Sequence, residues 1–136
     1  MRNKFLKKVA LTFLSISMLT PITTANAEKD GFYFNLLINV NEGRVYSDRI
    51  LKTDSENYGA VTTNYNDLIW SDKVYYKIHR NNWYGGRIEA TGYYRVTGNG
   101  TLNLWYYNGQ SVYNSNYQLE GDTDVHNAVV SGIWEP

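Results

Sequence analysis

Gly31-Phe32-Tyr33-Phe34-Asn35-Leu36-Leu37-Ile38-Asn39-Val40 decides the fold. Phe32, Phe34, Leu36, Ile38 and Val40 occupy every second position, with Asn35 and Asn39 opposite. Side chains of an extended strand point alternately to its two faces, so this period predicts a core strand. Asn41 to Gly43 breaks it. The same alternation recurs downstream. Val74, Tyr76 and Ile78 alternate with Tyr75, Lys77 and His79. Ile88, Ala90, Gly92, Tyr94 and Val96 alternate with Arg87, Glu89, Thr91, Tyr93 and Arg95, and Leu102, Leu104 and Tyr106 with Asn103, Trp105 and Tyr107. Three further β-prone runs are Ala60 to Tyr65, Ser111 to Leu119 and Val125 to Trp134. Arg44 to Lys52 has room for a short edge strand, although its pattern is poor.

Turn chemistry punctuates these runs. Thr53 to Asn57 reads as a polar loop, and Glu120 to Asp124 as an acidic turn. Asn81-Asn82 and Gly85-Gly86 bracket Trp83-Tyr84, and Gly98-Asn99-Gly100 marks a tight turn. Asn108-Gly109 is the strongest hairpin signal, because both residues tolerate positive φ. Seven or eight strands with a turn every ~8–12 residues predict an all-β chain, a small antiparallel β-sandwich. No stretch after Ala27 carries a helical period.

The segment before the first strand has a different logic. Arg2, Lys4, Lys7 and Lys8 form a positive start, Val9 to Leu19 is an apolar run, and Ala25-Asn26-Ala27 is a small-x-small cleavage pattern. Residues 1–27 therefore read as a secretory signal peptide cut after Ala27. The apolar run is too short for a bilayer anchor. The chain shows no hydrophobic segment followed by a basic tail at its end, so the expected product is released: secreted and extracellular.

The expected mature chain, residues 28–136, is 109 residues long and suits one domain with one core. Nine basic against thirteen acidic residues give it a net charge of −4. That sign speaks against nucleic acid, whose affinity rests on cations neutralising phosphates. It also speaks against a cationic lytic peptide and against stable membrane insertion. The chain has no cysteine, so disulfides, thiolate metal sites and cysteine nucleophiles are excluded. Its core must hold it alone. All 13 Tyr and all four Trp lie after Ala27, and each buried aromatic removes about 150–250 Å² from water. Export without cysteine fits a Gram-positive bacterium.

The two ends of the mature chain carry a resemblance. Gly31-Phe32-Tyr33-Phe34 and Val130-Ser131-Gly132-Ile133-Trp134-Glu135 resemble the opening and closing strands of a family of small, secreted, functionally uncharacterised proteins of Gram-positive bacteria. Ile133 departs from that family's aromatic, and the middle matches only in its Tyr- and Asn-rich character. The resemblance implies no catalytic residues. In export, size, lack of cysteine and aromatic richness the chain also looks like the small secreted β-sandwich bacteriocins of the lactococcin 972 type, without an alignable motif.

Four features are candidates for function. If the central strands form a meander, one face carries Tyr75, Tyr93, Trp105 and Tyr107 among Lys77, His79, Glu89, Arg95 and Asn103. Such rings could stack on sugars of a glycan or cell wall; equally, they could be cross-strand pairs that stabilise the sheet or lie under the 53–71 loop. Trp83 and Tyr84 form an aromatic loop tip, either a binding element or a plug at the end of the sandwich. Glu120, Asp122 and Asp124 could offer oxygens to calcium, but the run lacks a full ligand ladder and reads more simply as a solvated turn. His79 and His126 fall in no metal or nucleophile motif, and His126 reads as a surface residue. The ligand-binding set is thus Tyr75, Trp83, Tyr84, Tyr93, Trp105 and Tyr107, with no catalytic residue, metal or cofactor expected. The expected function is non-enzymatic and bacteriocin-like or envelope-acting, with a cell-wall or envelope component as partner. The alternatives are a glycan-binding module and a self-associating extracellular structural protein.

Overall fold

A computed structural model describes residues 28–69, 72–124 and 126–136. The signal segment expected over 1–27 lies outside the described residues. Among the described residues ten strands form two antiparallel sheets that pack as a sandwich. In chain order they are β1 (Asp30–Leu36), β2 (Val45–Tyr46), β3 (Ile50–Leu51), β4 (Tyr58–Asn66), β5 (Val74–Asn81), β6 (Arg87–Glu89), β7 (Tyr94–Val96), β8 (Gly100–Trp105), β9 (Asn116–Thr123) and β10 (Ala128–Glu135). The first sheet runs β1-β10-β4-β8. The second is centred on the β9–β5 pair; β2 and β3 flank β9, and β6 and β7 flank β5. The count exceeds the expected seven or eight because both edges of the second sheet are broken in two. Short, interrupted edges limit the unpaired backbone open to another chain.

The alternation read from the sequence is what fills the core. Phe32, Phe34 and Leu36 of β1, Val74, Tyr76 and Ile78 of β5, and Leu104 of β8 are all buried. Tyr117 and Leu119 of β9 join them, with Val130 and Trp134 of β10. Phe32 meets Tyr76 edge-on at 5.5 Å between centroids, so β1 and β5 lock across the layers. The Tyr76 hydroxyl needs a partner at that depth and bonds the Thr63 hydroxyl of β4 at 2.9 Å. Burial pushes the Tyr76 phenol up to about 12.

Four local expectations are corrected. β1 stops at Leu36, so Ile38 is only half-buried and Val40 exposed. The chain instead turns through a 3-10 segment, Asn41–Gly43, in which all three residues have positive φ. The three central strands are not a meander. β8 leaves the second sheet and pairs with β4, where Val61 meets Leu102 and Gly59 meets Leu104. Asn108-Gly109 is a turn, with Gln110 N–H donating to the Tyr107 carbonyl at 2.9 Å, but β8 and β9 lie in different sheets. The turn chemistry dictates a reversal, while burial of Leu102 and Leu104 dictates the partner. Finally, Glu120 to Thr123 extend β9 rather than forming an acidic turn. Opposite them Lys77, Tyr76, Tyr75 and Val74 of β5 complete a ladder that outweighs the turn preference of Gly121 and Asp122. Among the described residues no helix is long and apolar enough to cross a membrane.

Candidate functional site

The outer face of the second sheet gathers the polar half of the expected platform. His79 of β5 donates from Nε2 to the Glu120 carboxylate of β9, and Lys77 pairs with Glu89 of β6. The Tyr93 hydroxyl reaches the second Glu120 oxygen at 3.3 Å, and the Lys77 ammonium sits over the Tyr93 ring at 4.2 Å. On the far side Arg87 stacks on Tyr46 at 3.7 Å and donates to Gln118 at 3.2 Å. Lys77, His79 and Glu120 are all buried, although they lie on the face turned away from the core. Long neighbours fold over them and leave a ridge of paired charge. Burial pushes the Glu120 carboxyl up, but the His79 imidazole, the Lys77 ammonium and the Tyr93 hydroxyl outweigh it, so its pKa lies below the ordinary glutamate value.

Beside this ridge Arg44, Tyr75, Tyr93, Asp122 and Asp124 line a cleft of about 320 Å³. Tyr75 and Tyr93 meet edge to face at 6.0 Å, and Arg44 lies 3.7 Å from Asp122. Burial, with Glu120 and Asp122 adding, pushes the Tyr93 phenol up to about 12. Burial also raises Asp122, helped by Glu120 and Asp124 and opposed by Arg44. Two of the three candidate calcium ligands, Glu120 and Asp122, thus face the Arg44 guanidinium, at 3.9 and 3.7 Å. Among the described residues no group of three or more histidines and carboxylates could hold a metal ion.

The β5–β6 connection presents the aromatic tip. Asn82 N–H donates to the Gly86 carbonyl at 2.9 Å, Gly85 N–H to the Asn82 carbonyl at 3.1 Å, and Gly86 N–H to the Asn82 side chain at 2.6 Å. Gly85 takes φ +88°, a conformation open to glycine at little cost. The turn is therefore stiff, and it holds Trp83 and Tyr84 edge to face at 5.1 Å. Trp83 is 94% exposed and Tyr84 70%. The plug alternative fails for Trp83, because nothing in the sandwich covers it.

Trp105 and Tyr107 go elsewhere. Trp105 stands on the outer face of the first sheet, directly opposite Tyr58 with ring centroids 5.1 Å apart. Tyr107 is exposed at the corner where β8 approaches the second sheet, its N–H donating to the Ala90 carbonyl at 2.8 Å. Of the six residues expected to bind, the structure thus brings together Tyr75 with Tyr93 and Trp83 with Tyr84, and separates both pairs from Trp105. Three exposed rings lie outside the expected set: Tyr33 of β1, Tyr65 of β4 and Tyr113 before β9. The signal was available for Tyr33, which alternates with buried Phe32 and Phe34. His126 is exposed, as expected, and its Nδ1 lies 3.1 Å from buried Asp72.

No family model, no curated protein and no solved structure matches this chain.

Proposed function

We propose that this is an exported, non-enzymatic protein that acts by binding a component of a bacterial envelope, in the manner of a secreted bacteriocin. The exposed Trp83–Tyr84 tip carries this reading. Two large rings held in water by a stiff turn forgo burial that the fold could have used, and such contiguous exposed apolar surface marks contact with a partner. Rigid aromatics also bind at low entropic cost. Binding rather than chemistry is supported by the His79–Glu120 pair, whose members are buried and whose carboxylate is taken up by His79 and Tyr93. The signal-like start of the sequence and the likeness of its ends to small secreted proteins of Gram-positive bacteria point the same way.

The test is binding to, and growth inhibition of, a panel of Gram-positive strains by the domain from Glu28 onward, which contains every strand of both sheets. Saturable binding that is lost in Trp83→Ala supports the reading. Absence of both binding and inhibition on every strain removes it. A glycan-binding module without toxicity is the second reading, favoured by the Tyr58–Trp105 pair on the first sheet; it expects binding without inhibition.

A further inference from the structure

The outer face of the first sheet carries a strip of cross-strand rows. In one row Tyr33 and Tyr65 flank Ser131 of the central strand β10. In the next, Ile133 pairs with Thr62, whose hydroxyl bonds that of Thr101 at 2.8 Å. Tyr58 and Trp105 close the strip at the far end of β4. Strands spaced ~4.8 Å apart place Tyr33 and Tyr65 about 10 Å from one another, and a strand rise of ~3.3 Å per residue makes the strip roughly 20 Å long. Tyr33 is 68% exposed, and Tyr65 and Trp105 are each 54% exposed. Between the Ile133 row and the Tyr58–Trp105 end, Glu135 of β10 lies beside Ala60 and Asn103, and Lys29 pairs with it at 3.1 Å beside a dimple of about 30 Å³; the other rows carry no charged side chain.

The composition of the strip selects its occupant. An apolar protein surface or a lipid tail would cover the rings but would strand the Ser131 hydroxyl and the one O–H that the Thr62–Thr101 pair leaves undonated, which is costly. A highly charged polymer would find only Glu135 and Lys29, which already neutralise each other. A sugar chain offers both complements at once: C–H faces that stack on flat rings, and hydroxyls that bond hydroxyls. The length of the strip fits several successive sugars of a linear chain. We infer that the outer face of the first sheet, anchored by Tyr33, Tyr65 and Trp105, binds the glycan strand of a bacterial cell wall. This rests on the envelope reading and gives it a ligand class and a second surface, distinct from the Trp83–Tyr84 tip.

The experiment is co-sedimentation of the domain from Glu28 onward with Gram-positive sacculi stripped of teichoic acid, and with chitin. Wild type is compared with Tyr33→Ala/Tyr65→Ala, Tyr33→Phe/Tyr65→Phe and Trp83→Ala. All three substituted positions are exposed, so each variant should melt as wild type does. The expected result is that the double alanine variant binds about tenfold or more weakly, while the double phenylalanine variant, which keeps the rings, stays within about threefold of wild type. Wild-type binding that survives the double alanine substitution overturns the inference and leaves the envelope reading standing. So does binding to intact cells with none to either glycan. Wild type that dimerises in sedimentation velocity, with the double alanine variant monomeric, also overturns it, by making a second copy the occupant.

Discussion

Glu120 shows how far one side chain's meaning depends on its partner strand. In isolation it belongs to a run of alternating carboxylates; in β9 it faces His79 and Lys77 of β5 and is buried. Its pKa is lower folded than the ordinary 4.5. The stability it contributes is therefore present above that ordinary value and is lost as pH falls through the lower, folded one. Urea midpoints should hold from neutrality down to about pH 5 and then fall. Glu120→Gln should lower the midpoint at neutral pH and flatten this acid limb; an unchanged limb would mean that other carboxylates carry it. Gly132 sits at the β10 bulge, where an added Cβ would lie 1.9 Å from the Thr62 carbonyl oxygen. Gly132→Ala must push β4 away and should cost about 1–3 kcal/mol in denaturant unfolding. Lys52 is fully buried, donating to the Pro136 carbonyl at 3.0 Å and to Asp54 at 2.5 Å. Lys52→Ala leaves that carboxylate without its cation and opens a cavity, with an expected loss of about 3 kcal/mol or more.

At the scale of the element, the hairpin tip and the strand faces behave oppositely under substitution. Trp83→Ala removes a ring that packs only on its neighbour, so stability should change by less than about 0.5 kcal/mol while binding to cells is lost. Thermal melts and cell binding of the same preparation separate the two effects. The strands β1, β5 and β8 were legible from their period of two, because burial of one face imposes that period whatever the partner, whereas β4, β9 and β10 showed only as β-prone runs and the second half of β9 read as a turn. Partner choice was not legible. Gly98-Asn99-Gly100 and Asn108-Gly109 each reverse the chain, yet each hands it from one sheet to the other. A turn signal is local, whereas the pairing of β8 with β4 comes from residues about forty positions apart. This is why Trp105 was grouped with Tyr75 and Tyr93 and in fact lies on the opposite layer. The strand end at Leu36 was illegible for a related reason: Ile38 and Val40 continue the period, but the positive φ values of Asn41 and Glu42 turn the chain away.

The whole molecule is a disulfide-free sandwich held by one aromatic-rich core, with its polar network on one outer face and its aromatic strip on the other. Composition alone made the reliance on that core legible, since a cysteine-free chain cannot be held by disulfides. The tip, the cleft and the strip were legible only as residue types, because their separation is a property of the closed sandwich. The account places function on surfaces and leaves the core to stability, so binding and unfolding should respond to different substitutions. Titration of fluorescently labelled domain, from Glu28 onward, onto intact Gram-positive cells tests this most directly, with Trp83→Ala, Tyr33→Ala/Tyr65→Ala and Gly132→Ala alongside wild type. The account expects saturable wild-type binding, loss of binding without loss of stability in the first two variants, and loss of stability in the third. No wild-type binding to any strain, or wild-type affinity in both surface variants, would contradict it.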